Sequence, residues 1–261
     1  MTRPFDAGCI AFYRDVLEAL NAGEVPFLVG GAFAFNAHTG IERDTKDLDL
    51  FIRRADYEQA GAVLGRAGHA VELTFPHWLA KVRRGECLVD LIFSSGNGLA
   101  EVDDEWFAHA GASELLGVPV KTAPVEEAIW SKAFVMERER YDGADVAHLL
   151  LAEAGRMDWA RLVRRFGPHW RVLLAHLLLF GFVYPGERAR VPRRVLDELL
   201  QRLHAEPVEA SEADVCRGTL LSREQYLPDI EQCGMRDARV APLGPISAEQ
   251  VAHWTRAIDE R

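Results

Sequence analysis

Two aspartates stand inside an apolar run at residues 47 to 52, Asp47-Leu48-Asp49-Leu50-Phe51-Ile52, and they constrain the fold more than any other feature of the chain. At the two-residue period of a strand both carboxylates point to one face. Like charges held together there repel and lose hydration, so a divalent cation is the economical companion for them. The strand does not stand alone. Just upstream, Val25 to Val29 forms a short apolar run, Gly30-Gly31 follows, and a helix-like stretch continues to about Ala37 before a turn near Gly40.

The remaining pattern extends this core. Residues 7 to 21, with Ile10, Val16, Leu17 and Leu20, predict an amphipathic helix that ends at the Asn21 to Gly23 turn. Residues 55 to 67 predict a helix, and 69 to 75, 78 to 83 and 86 to 93 predict strands separated by Pro76 and by the Arg84-Gly85 turn. The first 120 residues thus alternate helix and strand. From Thr122 the periodicity becomes helical, over 123 to 139, 143 to 154, 158 to 166, 168 to 182 and 191 to 204. Residues 206 to 261 are more polar and broken by Pro228, Pro242 and Pro245, and are expected to form a weakly defined extension with one or two helices. These shifts divide the chain at 1–120, 121–205 and 206–261.

Composition narrows the function classes. A chain of 261 residues that is 49% hydrophobic can bury one substantial core and a smaller second one. Its formal charge of -10 argues against an extended nucleic-acid track, which needs a basic surface spanning several phosphates, and leaves room only for a local basic pocket. Cys9, Cys87, Cys216 and Cys233 lack C-x-x-C spacing, so neither a structural zinc nor a disulfide framework is expected, and a reducing cytoplasm fits. No secretory signal opens the chain, because Asp6 and Arg14 interrupt the early apolar residues. The longest apolar run, residues 172 to 183, contains His176 and is about half of the roughly 20 residues a membrane span needs. A buried core helix is the expectation there, with no membrane partner.

The chemistry-bearing residues cluster in the first half. A glycine pair after a strand is either a plain tight turn or a place where backbone N–H groups at a helix start approach a phosphate. A third carboxylate, Asp90, lies in the apolar strand Cys87-Leu88-Val89-Asp90-Leu91-Ile92-Phe93. One such aspartate would read as a hydrogen-bonded structural residue, but three carboxylates can hold two divalent cations about 4 Å apart and align a nucleophile with a phosphoryl centre. A calcium loop is set aside, since Asp49 is followed by Leu50, Phe51 and Ile52 instead of further ligands and a glycine. Farther on, Thr122 and Pro124 open a helix whose apolar stripe of Val125, Ala128, Ile129, Ala133 and Met136 has Lys132 in its middle. A lysine so placed either snorkels to the rim or meets an anion. Asp142 and Asp145 begin the next helix, either as first-turn acids or as substrate contacts. His38, His77 and His176 share no metal spacing and read as satisfied structural histidines. Trp78, Trp106 and Trp130 read as core or pocket wall, with stacking on a base the alternative.

Gly30, Gly31, Asp47, Asp49 and Asp90, over residues 25 to 93, resemble the nucleotidyltransferase superfamily of the DNA polymerase beta type. The run through His38, Gly40, Arg43, Thr45, Asp47 and Asp49 is similar to the bacterial branch of abortive-infection toxin nucleotidyltransferases and small antibiotic nucleotidyltransferases. The resemblance implies an α+β fold: a mixed β-sheet core with flanking helices, followed by a helical C-terminal region. It implies that Asp47, Asp49 and Asp90 are catalytic and bind two magnesium or manganese ions, with Asp90 helping to deprotonate the acceptor. Gly30 and Gly31 would cradle an NTP, although many relatives carry serine where this chain has Gly31. Arg43, Thr45 and Lys132 would complete the nucleotide site, while Lys46 reads as solvated loop charge. Arg140, Asp142 and Asp145 resemble the Arg, Asp-x-x-Asp pattern of the toxin branch, with Tyr141 where a basic residue is usual. The activity implied is transfer of a nucleoside monophosphate from an NTP such as ATP to an acceptor hydroxyl. The acceptor is a small molecule, an RNA end or a protein side chain. The alternative is a catalytically silent nucleotide- or partner-binding member of a toxin–antitoxin pair, with an antitoxin as its partner.

Overall fold

The computed structural model describes residues 7–43, 45–207 and 212–257. They divide into two compact units, Met1–Pro124 with Glu249–Arg261, and Val125–Ala248.

The first unit is built on a seven-stranded mixed sheet. In chain order its elements are α1 (Ala7–Ala22), β1 (Leu28–Val29), α2 (Gly31–Thr39), β2 (Asp47–Phe51), α3 (Tyr57–Arg66), β3 (Val71–Phe75), β4 (Leu79–Arg84), β5 (Cys87–Ile92), α4 (Asp104–Ala108), β6 (Gly111–Leu115) and β7 (Val118–Thr122). The strands lie in the order β3-β4-β5-β2-β1-β7-β6. β2 runs parallel to β5 and β1 parallel to β7, and the other neighbours are antiparallel. One face is sealed by α1 and α3. Phe12, Val16, Leu17 and Leu20 of α1 and Ala60 and Leu64 of α3 are fully buried with Leu48, Leu50, Val89, Leu91, Ala80 and Val82 of the strands. Because side chains alternate along a strand, burying these residues sends Asp47, Asp49, Asp90 and Lys81 to the opposite face.

Two parts of this unit differ from the sequence expectation. Residues 111 to 122 form the hairpin of β6 and β7, turning at Leu116 and Gly117, both with positive φ. Val118, Val120 and Thr122 are buried and alternate with exposed Pro119 and Lys121, a two-residue period in a stretch short enough to resemble a linker. The second difference is a disulfide between Cys9 and Cys87, which are 78 residues apart. This corrects the expectation of no disulfide and removes the cysteine-spacing argument for a reducing compartment. Local spacing was silent on it because the two sulfurs meet only once α1 packs on β5.

The second unit is mainly helical: α5 (Val125–Ala133), α6 (Gly143–Glu153), α7 (Trp159–Phe166), α8 (Trp170–Val183) and α9 (Arg193–Ala205), followed by β8 (Val215–Cys216), α10 (Leu227–Glu231) and β9 (Arg236–Asp237). α5 is shorter than its apolar stripe predicts. It stops at Ala133, and Met136 instead pairs with Tyr141 in a tight reversal closed by Glu137 N donating to Arg140 O at 2.9 Å. α5 and α7 are joined by buried charge. Arg161 Nη1 sits 3.0 Å from both Glu127 oxygens, Arg165 Nε donates to Glu127 Oε1 at 2.9 Å, and Arg161 also bonds Glu126.

The stretch Trp159–Val183 is long and apolar enough to cross a membrane by length and composition. It contains α7, a 3-10 turn at Gly167–His169 and α8, and it buries Leu173, Leu174, His176, Leu177 and Phe180. The core helix expected at 172 to 183 is present as α8 and is buried along that face. Leu178, Leu179, Phe182 and Val183 are exposed, Phe182 to 82%. Past residue 206 the described residues carry two short strands, β8 and β9, besides the one or two helices expected there. The last helix, α11 (Ala248–Arg256), buries Val251 and Trp254 and sets Trp254 in edge contact with His77 and Trp78 of the sheet unit.

Candidate active site

The three aspartates separated in sequence converge on the open face of the sheet. Asp49 and Asp90 are register partners on the parallel strands β2 and β5, and Asp47 lies one side-chain repeat earlier on β2, opposite Leu88. One carboxylate oxygen from each lies within 4.8 Å of the others. Three like charges at that separation repel, and hard oxygen ligands in such a cluster suit a magnesium-class cation. Asp90 is 9% exposed. Burial pushes its carboxyl above the usual range, the Lys81 ammonium opposes that shift, and the charge of Asp47 reinforces it.

The glycine pair is explained by what lies beneath it. Gly30 N donates to Asp49 O at 2.9 Å, which ties the turn to the aspartate strand. A Cβ at Gly30 would stand 2.2 Å from the Phe51 ring, and one at Gly31 would stand 1.7 Å from Asp49 Oδ2. Gly31 also has φ +52, a conformation that L side chains rarely adopt. The turn therefore has to be bare at both positions, and Gly31 cannot be exchanged for serine without displacing Asp49. Gly30 is the N-cap of α2 and supplies no capping side chain, so the amides that open this helix receive no side-chain cap from it. At the other end of α2, His38 Nε2 bonds Ala123 O at 2.9 Å, just after β7.

The other sequence candidates fall into distinct places. Thr45 supports an aspartate: its hydroxyl lies 2.8 Å from Asp47 Oδ1 and 2.9 Å from Asp47 O. Arg43 is exposed and stacks its guanidinium 4.0 Å from the centre of the Phe35 ring in α2. Lys132 lies in the helical unit, where its ammonium is 3.2 Å from Asp142 Oδ2 and 2.8 Å from Asp145 Oδ2, with Arg140 forked onto Asp142. Arg140 and Lys132 hold Asp142 below the usual carboxylate range despite its burial. The sequence pattern of Lys132, Arg140, Asp142 and Asp145 is thus one ion-paired cluster. The histidines are satisfied by backbone carbonyls, His77 on Gly96 O and His176 on Ala133 O. Trp106 is fully buried against Phe51, and its Nε1 donates to Glu101 O.

One site residue escaped the sequence reading. Lys81, at the register position facing Asp90, places Nζ 2.9 Å from Asp90 Oδ1. The signal was present, since a reversal at Gly85-Glu86 pairs Arg84 with Cys87 and, three steps back, Lys81 with Asp90.

No protein-family model matches the chain, and no curated protein matches it. Among solved structures the chain is similar to the antibiotic-resistance factor ANT(2'')-Ia, seen in solution, at 20% identity over 66% of this chain and 96% of that chain, with a TM-score of 0.45. A crystal structure of ANT(2'')-Ia in complex with adenylyl-2''-tobramycin matches at 21% identity over 60% and 94%, with a TM-score of 0.40. An antigenic nucleotidyltransferase-like protein from Paracoccidioides brasiliensis matches at 14% identity over 72% and 94%, with a TM-score of 0.42.

Proposed function

We propose that this protein is a metal-dependent nucleotidyltransferase of the DNA polymerase beta type, moving a nucleoside monophosphate from an NTP to an acceptor hydroxyl. The observation that carries the reading is the convergence of Asp47, Asp49 and Asp90 on one sheet face, with Asp49 directly beneath the bare Gly31. Three carboxylates with oxygens this close, on a face that also offers the start of a helix, suit two divalent cations and a polyphosphate. Bound cations would supply charge stabilisation at the phosphoryl oxygens and activation of the attacking hydroxyl.

The chain's own groups divide the remaining work. Asp47 and Asp49 would bind both cations, with Thr45 fixing the rotamer of Asp47 through its hydroxyl. Asp90, whose carboxyl is raised by burial, would accept the proton of the acceptor hydroxyl as that oxygen bonds to the α-phosphorus and the bond to pyrophosphate breaks in line. Gly30 and Gly31 would receive the triphosphate on backbone amides alone. Arg43, exposed beside α2, would neutralise phosphate charge. An intact carboxylate trio favours turnover over a silent binding role.

The test is incubation of the full chain with labelled NTPs, magnesium and a cell extract, beside D47N and D49N. Label transfer that depends on both aspartates is the expected result. The absence of any transfer and of any pyrophosphate release from all four NTPs would overturn the proposal.

A further inference from the structure

Lys81 forms an ion pair with Asp90 of the trio, and the transfer chemistry proposed above does not call on it. It stands on β4, flanked by Ala80 and Val82, both fully buried, and projects to the open face. Its Nζ is 2.9 Å from Asp90 Oδ1, and both side chains are largely enclosed, at 17% and 13% exposure. A pair this enclosed is weakly screened, and its geometry is fixed from both sides by the β4–β5 ladder. The ammonium therefore does two things to the site. It holds one oxygen of Asp90, Oδ1, in place, and it reduces the formal charge of the carboxylate trio by one.

We propose that Lys81 is a positioning residue that orients Asp90 and, through its charge, weakens cation binding at the carboxylates, so that the trio fills completely only when a triphosphate brings its own negative charge. The inference rests on the metal-dependent reading of the trio. Its consequence runs opposite to that of a structural residue, because removing the ammonium should strengthen cation binding.

The experiment is calorimetric titration of the nucleotide-free full chain with Mn2+, accompanied by the Mn2+-induced shift in Tm, for wild type, K81M, K81Q, K81R and D49N. K81M and K81Q, which remove the charge, are expected to bind Mn2+ about tenfold or more tightly and to show a larger Tm shift. K81R, which keeps the charge, should stay near wild type. Two neutral variants protect the test against one that fails to fold. Affinity that is unchanged or weaker in both neutral variants, while D49N abolishes binding, overturns the role of Lys81 and leaves the metal site standing. Absence of Mn2+ binding in wild type and neutral variants alike overturns both readings.

Discussion

Two of the molecule's clusters of enclosed charge are balanced differently. Between α5 and α7, Glu126 and Glu127 face Arg161 and Arg165, two carboxylates against two guanidiniums, and the set closes on itself. On the sheet, three carboxylates, Asp47, Asp49 and Asp90, gather on one face, and Lys81 pairs with Asp90. A closed set needs nothing further and fixes how two helices pack. A set with surplus charge is stable only with help from water or a bound cation, and that surplus marks a site for chemistry.

The contrast can be broken by substitution. The largest effect is expected from D49N, which keeps the shape of the side chain and removes one charge from the surplus: transfer activity should fall by about a thousandfold or more, with Tm unchanged or raised as repulsion is relieved. A drop in Tm comparable to the loss of activity would make the sheet cluster structural after all. R161M in the closed set should do the reverse. It leaves Glu126 without its guanidinium and Glu127 with Arg165 alone in the interior, and should cost about 3 kcal/mol of stability or more, read by denaturant unfolding, before any effect on chemistry. G31A comes next, at about 2 kcal/mol, because a methyl group there meets Asp49 Oδ2 at a positive φ. Its activity should fall further than its stability, since the side chain displaced is a cation ligand in the proposed reaction.

The smallest effect concerns protons. His176 is buried and bonded to Ala133 O, and burial holds its imidazole below the ordinary range. The unfolded chain takes up a proton near pH 6.5 and the folded one does not. The stability contributed by neutral His176 is therefore present above about pH 6.5 and declines as the pH falls toward the folded value. Thermal scans between pH 7.5 and 5.5 should show this decline in wild type and a flatter profile in H176Q. Equal slopes would mean that other groups set the acid limb.

What could be read in the sequence follows from the range of the interactions involved. Asp47, Asp49 and Asp90 were legible because a charge inside an apolar strand is anomalous within five or six residues. The glycine pair was legible as a turn, but the reason it must be bare, the Asp49 carboxylate and Phe51 ring packed beneath it, belongs to the fold. Lys81 was hidden because it looks ordinary in its own strand and acquires meaning only across a hairpin. Cys9 and Cys87 were misread for the same reason on a longer scale. Thr45 sits at the border: its place two residues before Asp47 was visible, while its hydroxyl bond to that carboxylate was not.

The parallel pairing of β2 with β5 carries a last consequence. Asp49 and Asp90 are neighbours only in this register, and α3, β3 and β4 must be made and folded back before the pairing can form. A slip by one residue would turn one strand's carboxylates toward the hydrophobic core. Misaligned chains are thus inactive and unstable at once, so a molecule able to bind its cations has already passed a check on its own assembly.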